Sequence, residues 1–348
     1  MEKDRPILYI VVPCFNEQEA LPQSHGRLSQ LVAEMVEQGS VARESKLLYV
    51  DDGSRDDTWE IIEKLAAESD RVAGVKLACN SGHQNALMAG LAAAVERCDI
   101  TVSIDADLQD DINVIPQMVE RYKEGCDIVF GVRRERKADT WFKRTTANMF
   151  YGFMKRLGVS TIENHADYRL MSRRAVLALL DYKERNLFIR GIVTKLGYKT
   201  DCVYYDRSAR IAGESKYPFK KMVNFAIDGI TSFSVRPVRL VMQVGLLFLL
   251  IALIMLIYVL CAYFMGRAVS GWPSIILSIW FVGAFVLIGL GIIGEYVGKI
   301  YTEVKNRPRY NVDTTVGLES MHDAQCTMHN RMRQASSLQN SKLTTDNS

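Results

Sequence analysis

Apolar residues fall into two kinds of block along this chain. The N-terminal part carries short continuous runs at 8–12, 46–50, 72–77, 101–104 and 127–132, several rich in β-branched residues. Runs of this length without alternation predict strands buried on both faces. Between them, 21–38, 58–69, 82–97 and 112–124 read as helices, with Asp57 or Thr58 expected to cap the second. Strands that alternate with helices predict an α/β domain with a mostly parallel sheet. The second kind of block is long: 240–264 and 272–294 contain no charged residue. A helix needs about 20 apolar residues to cross the hydrocarbon core, so two transmembrane helices are expected here.

Charge orients these spans. The connecting loop, 265–271, has one basic residue, Arg267, whereas Arg236 and Arg239 precede the first span and Lys299, Lys305, Arg307 and Arg309 follow the second. The excess on the outer flanks places both, and the α/β domain with them, in the cytoplasm. Seven cysteines, with no CxxC pair, fit a reducing compartment. The first residues show no apolar signal-peptide core. The formal net charge of +3 gives no reason to expect nucleic-acid binding. Gly289, Gly291 and Gly294 match a dinucleotide fingerprint, but inside a membrane span they read as close helix packing or chance. Packing through them and Gly298 suggests a homo-oligomer. Residues 140–157 and 216–235 mix basic and aromatic groups and read as interfacial helices against the bilayer. From about Thr314 the chain turns polar and is expected to be disordered. His322, Cys326 and His329 are scattered there by chance.

In an α/β sheet, chemistry belongs at the carboxyl ends of the strands. Polar clusters stand at four of them: Asn16-Glu17, Asp51-Asp52-Gly53-Ser54, Asn80-Ser81-Gly82-His83, and Asp105-Ala-Asp107-Leu-Gln109. Asp105 and Asp107 repel unless a cation lies between them, and oxygen ligands suit Mg²⁺ or Mn²⁺. Gln109 adds a carbonyl oxygen. A metal held there would stabilise a departing diphosphate. Asp52 is placed to accept from a nucleobase imide, with Pro13, Phe15 and Glu17 around the base. His83 is expected to make only a local polar contact.

Val11-Val-Pro-Cys-Phe-Asn-Glu17, Val50-Asp-Asp-Gly-Ser54 and Asp105-Ala-Asp-Leu-Gln109 resemble the inverting GT-A glycosyltransferases of family 2. Asn164-His-Ala-Asp167-Tyr-Arg169 and Arg210-Ile-Ala-Gly213-Glu-Ser215-Lys216 resemble the acceptor-side motifs of their polyprenyl-phosphate branch. The resemblance covers roughly residues 6–310. It implies a GT-A domain at 1–215, an interfacial helix at 216–239, spans at 240–264 and 272–294, and a basic tail at 295–348. It implies nucleotide-sugar contacts at Pro13, Phe15, Glu17, Val50, Asp52, Asp105, Ala106 and Arg133, and metal contacts at Asp105, Asp107 and Gln109. It places the acceptor phosphate at Arg169, Arg210, Ser215 and Lys216, and assigns catalysis to Asp107 and Asp167. A phosphate monoester is already largely a dianion near neutral pH, so Asp167 reads better as a positioning group than as a base. The implied reaction moves a hexose, glucose from UDP-glucose ranking first, to undecaprenyl phosphate at the inner membrane, for cell-envelope glycan modification. A processive polysaccharide synthase resembles this fold too, but carries QxxRW where this chain has Glu184-Arg-Asn-Leu-Phe-Ile-Arg190, and more spans. A membrane scaffold that keeps the fold without turnover is the non-enzymatic alternative.

Overall fold

The computed structural model describes residues 5–134, 165–184, 189–206 and 272–318, with Val241, Gln243, Leu247, Leu250, Ile254 and Ile257. The chain divides into two units, 1–140 with 161–216 and 307–348, and 141–160 with 217–306.

The first unit is built on an eight-stranded sheet. Its first strand, β1 (Leu8–Cys14), is buried at every position. That follows from a continuous apolar run with helices on both faces. α1 (Leu21–Glu37), β2 (Lys46–Asp51), α2 (Thr58–Glu68), β3 (Val72–Leu77), α3 (His83–Ala94) and β4 (Ile100–Ser103) follow in turn. A short 3-10 turn at Ile112–Val114 leads into α4 (Ile115–Lys123), then β5 (Ile128–Arg133). These elements agree with the pattern read from sequence to within a few residues. Asp57 stands at the cap position of α2 as expected but makes no side-chain capping bond; the Asp56 carboxylate accepts from the Thr58 N–H and hydroxyl.

Four further elements had no sequence forecast: β6 (His165–Ser172), α5 (Arg173–Leu180), α6 (Ile189–Val193) and β7 (Thr200–Tyr205). The sheet order is β7-β5-β6-β4-β1-β2-β3-β8. β1 pairs in parallel with β2 and β4, β2 with β3, and β5 with β7. β6 runs antiparallel to β4 and β5, and β8 (Val312–Val316) antiparallel to β3. The mostly parallel sheet was expected; β8 was not. Residues 314–316 lie in a strand, not a disordered tail, because the β3 edge offers them a ladder of backbone partners.

α3 lies close over β1 and β2. A Cβ on Gly90 would fall 2.4 Å from Val11 and 2.7 Å from Val50, so a side chain there would lift the helix off the sheet. This approach sets where the start of α3 meets the strand ends.

In the second unit, α7 (Trp272–Val304) runs for 33 residues. It continues ten residues past the expected end at 294, because Tyr296, Val297, Ile300, Tyr301 and Val304 extend its apolar face. Among the described residues it is the one helix long and apolar enough to cross a membrane. Its large apolar side chains are exposed, Leu287 at 71%. Gly289 lies within packing reach of Val241, while Gly291, Gly294 and Gly298 face no neighbour among the described residues. The first expected span, both interfacial helices and the chain beyond 318 fall wholly or largely outside the described residues, as do Arg210, Ser215 and Lys216.

Candidate active site

The ends of β1, β2 and β3 are tied together by backbone N–H groups and short polar side chains. Asn16, at positive φ (54°), donates its N–H to Ser54 Oγ at 2.9 Å and accepts from the Arg55 N–H at 2.9 Å. Asp52 Oδ1 accepts from the Ser81 N–H at 2.7 Å and Oδ2 from the Gly82 N–H at 2.9 Å. Asp52 thus braces the loop after β3 against the loop after β2. Gly53 lies between them at φ +67°, and a Cβ there would meet the Asn80 nitrogen at 2.7 Å. Burial pushes the Asp52 carboxyl up, and the two N–H groups oppose that. Pro13 and Val50 are buried inside the sheet, Glu17 is half-buried and Phe15 is exposed. Of the residues implied to contact the nucleotide here, Phe15 and Glu17 face solvent, while Pro13, Val50 and Asp52 support the floor.

β4 delivers the paired aspartates. Ala106 and Leu108 are buried in the core. Their alternation with Asp105 and Asp107 leaves both carboxylates on the open side. Leu108 adopts φ 43°, a left-handed conformation costly for a branched side chain, held by its burial. Its N–H reaches the Asp105 carbonyl at 3.3 Å, and Asp107 Oδ1 accepts from the Gln109 N–H at 3.3 Å. The Gln109 side chain is buried. The Asp105 side chain keeps 43% exposure, yet its carboxyl is pushed up. Desolvation is the main cause; His83 opposes it, while Asp167, Asp110 and Asp107 add to it. That carboxylate excess fits a divalent cation. Among the described residues no group of three His, Cys, Asp or Glu side chains is placed to hold one unaided. Asp105 and Asp107 would supply two hard oxygens and leave the remaining positions to other oxygen donors.

Arg133 follows another path than a free phosphate ligand. Its Nη2 lies 2.9 Å from Asp110 Oδ1, and the Tyr205 hydroxyl donates to the same oxygen at 2.7 Å. Asp110 is buried, so this clamp fixes the guanidinium while 30% of its side chain stays exposed.

On the other side of β4 the contacts are between charged side chains. Asp167 and Arg169 leave β6 two residues apart. Arg169 Nη2 donates to Asp167 Oδ1 at 2.5 Å, and Arg190 Nη2 donates to Asp167 Oδ2 at 3.0 Å. His83 Nε2, at the start of α3, stands 3.6 Å from Asp105 Oδ1 and 3.7 Å from Asp167 Oδ2. Burial works to raise the Asp167 carboxyl, but Arg169 and Arg190 outweigh it and hold it well below the usual carboxylate range. Arg169 is 1% exposed, so it backs Asp167 and does not itself face an acceptor. His83 stands between the Asp105 and Asp167 carboxylates, beyond hydrogen-bond distance of either. Arg190 was passed over in the sequence. A lone charge within Phe188-Ile-Arg190-Gly-Ile-Val193 was the available signal, since a charge in an apolar run needs a partner.

Comparison with known proteins bears on this arrangement. Residues 9–180 match the family model described as glycosyl transferase family 2. The chain is 49% identical to the uncharacterized glycosyltransferase YkoT of Bacillus subtilis (strain 168), over 93% of this chain and 96% of that protein. It is 41% identical to a prophage bactoprenol glucosyl transferase homolog of Escherichia coli (strain K12), over 86% of this chain and 96% of the other. Among solved structures, it is similar to glucosyl-3-phosphoglycerate synthase from Mycobacterium tuberculosis, at 20% identity and a TM-score of 0.42, covering 66% of this chain and 78% of that one.

Proposed function

The chain belongs to glycosyltransferase family 2, and on that premise we propose that it transfers a hexose from a nucleotide sugar, UDP-glucose first, to polyprenyl phosphate with inversion. The product is a polyprenyl monophosphate sugar for cell-envelope glycan modification. Relatives of 40–41% identity with bactoprenol glucosyl transferase in their names support a glucosyl group and a polyprenyl carrier. The observation that carries the reading is the place of Asp105. It stands at the junction of two polar clusters, with His83 within 3.6 Å of it and within 3.7 Å of Asp167.

The nucleotide belongs on the β1–β2–β3 side, over Phe15 and Glu17, on a floor braced by Asp52. Asp105 and Asp107 would hold the divalent cation, Mg²⁺ or Mn²⁺, which when bound neutralises the charge that develops on the departing diphosphate. The Ala106 and Leu108 anchors fix the direction of both carboxylates in advance, so little reorganisation accompanies reaction. The acceptor phosphate belongs on the β6 side and attacks the anomeric carbon in line. Asp167 is unsuited to removing a proton, since two arginines hold its carboxyl well below the usual range. Its work is to orient those arginines and the His83 ring. The clamp on Arg133 from Asp110 and Tyr205 fixes a further positive charge at the end of β5.

The path of the chain supports two crossings of the inner membrane. The chain leaves the sheet after β7 at Tyr205 and rejoins it at β8, Val312–Val316. Both ends of the intervening segment therefore lie on one side of any bilayer it enters, and the number of crossings is even. α7, apolar and exposed, supplies one; 240–264 is the candidate for its mate. The charge rule puts the sheet in the cytoplasm.

The test is incubation of the purified full chain with undecaprenyl phosphate, Mn²⁺ or Mg²⁺ and a panel of nucleotide sugars, with lipid products read by mass spectrometry. A glycolipid from one donor is expected. Absence of both glycolipid and free nucleoside diphosphate with every donor would overturn the reading and favour a scaffold.

A further inference from the structure

Exposure rises in order along one chain of ion pairs: Arg169 at 1%, Asp167 at 12% and Arg190 at 37%. Building on the acceptor reading above, we propose that Arg190 receives the phosphate monoester of the lipid acceptor, with Asp167 as its positioning residue and Arg169 as the buried counter-charge that holds Asp167.

Three observations carry this. The first is the use of N–H groups. Arg190 spends one edge of its guanidinium on Asp167, through Nε at 3.3 Å to Oδ1 and Nη2 at 3.0 Å to Oδ2. A guanidinium has five N–H donors, and among the described residues nothing engages the Nη1 edge, which points to a ligand there. Arg169 Nη1 is buried without a hydrogen-bond partner among the described residues, so the cluster holds donors in surplus. The second is charge. Arg169 and Arg190 face Asp167 and Asp105. Once Asp105 is taken up by a cation, the two arginines have one carboxylate between them, which leaves one positive charge to attract a phosphate. The third is placement. The Ile189 N–H donates to Gln84 Oε1 at 3.2 Å, so the segment carrying Arg190 is tied to the residue beside His83. Ile189, Ile192 and Val193 are buried around it, leaving Arg190 directed to the site from a fixed base.

The same chemistry could serve the donor's diphosphate. Sheet order argues for the acceptor. Asp105 follows β4 by two residues, the loops proposed for the nucleotide end β1, β2 and β3 on one side of it, and Asp167 leaves β6 on the other. Arg190 therefore lies across the paired aspartates from the nucleotide.

The experiment uses the full chain in detergent and the variants Arg190→Gln and Arg190→Lys. One arm measures binding without turnover: thermal stabilisation by a short polyprenyl phosphate, by the matching polyprenol, by inorganic phosphate, and by UDP with Mn²⁺. The wild type should be stabilised by the polyprenyl phosphate and not by the alcohol. Arg190→Gln should weaken that binding by about ten- to hundredfold, the scale of a charge-assisted hydrogen bond. Arg190→Lys should recover part of it, because a point charge replaces a fork. UDP binding should stay within about threefold in both variants, which also shows that they fold. The second arm measures transfer, where the acceptor KM should rise in Arg190→Gln. Equal losses for UDP and polyprenyl phosphate would assign Arg190 to the donor and overturn the proposal. So would a fall in kcat with unchanged lipid binding, which would make Arg190 a prop for Asp167 alone. Lipid-phosphate binding that needs Arg190, with no transfer from any donor, would uphold this inference and overturn the reaction proposed above.

Discussion

The two sides of the sheet edge are assembled by different forces. Beside β1, β2 and β3, backbone N–H groups meet short side chains: Asn16 with Ser54 and Arg55, Asp52 with Ser81 and Gly82. Beside β6, side chains meet side chains, Arg169 and Arg190 on Asp167, with His83 near both Asp167 and Asp105. The first construction depends on loop shape. The second depends on balanced charge. A substitution that alters shape should injure donor binding, and one that alters charge should injure the acceptor side.

Asp105 belongs to both sides and carries the largest expected effect. Asp105→Asn keeps the shape and removes the charge. Transfer should fall by about a thousandfold or more at saturating donor and divalent cation. Folding should be intact, because desolvation already works against this charge. Product formation and a thermal melt, read together, check it. Transfer within about tenfold of wild type would separate the two clusters functionally.

Asp167→Asn comes next. It leaves the Arg169 guanidinium buried and without its counter-charge, a change that costs about 3–5 kcal/mol in buried pairs. The pH dependence has a definite sign. The folded carboxyl lies below its unfolded value, so its stabilisation is complete above the ordinary carboxylate range and is lost as pH falls below it. The variant should be less stable at neutral pH and should lose that part of its acid sensitivity. Urea melts at neutral and acid pH measure both.

Gly53→Ala tests the other construction. The added Cβ meets the Asn80 and Cys79 backbone at 2.7 Å, at a φ of +67° that alanine disfavours. A cost of about 1–3 kcal/mol is expected. The donor KM should rise while the acceptor KM holds. An equal rise in both would mean that the two sides are not independent.

The same contrast decides what could be read from the sequence. Asn16, Asp52 and Gly53 stand in recognisable polar strings at strand ends, although the partners of Asn16 and Asp52 lie 38 and 29 positions away and were not legible. The strands and helices through β5 were legible because burial writes its period into contiguous residues. Arg190 lies 23 positions from Asp167 along the chain, and His83 lies 84. No local rule links them, and only the order of β4, β6 and α6 in space brings them together. β8 escaped notice because its composition is that of a polar tail; its strand form is imposed by the open edge of β3. Arg133 was expected at the donor from the family resemblance; its clamp was not foreseen, since that needs Tyr205 from β7.

The smallest predicted effect gives the sharpest comparison. Asp51, one residue before Asp52, is fully buried at the end of β2. Its Oδ1 accepts from the Ser54 N–H at 3.2 Å, and its Oδ2 has no hydrogen-bond partner among the described residues. Burial pushes this carboxyl up, opposed by Ser54 and by Lys76 on the neighbouring strand. The sign is the reverse of that at Asp167. A folded value above the unfolded one favours the protonated acid in the native state, so the penalty is absent below the ordinary carboxylate range and grows as pH rises toward the folded value. Asp51→Asn keeps the acceptor for Ser54 and removes the charge. It should change stability at neutral pH by no more than about 1 kcal/mol, toward gain. It should also flatten the pH dependence in the sense opposite to Asp167→Asn. Two aspartates, each replaced by its own amide, then tilt one stability curve in opposite directions, as follows if loop shape governs one side of the sheet edge and charge balance the other. A loss at Asp51 as large as that at Asp167 would show that the loop side, too, depends on its charge.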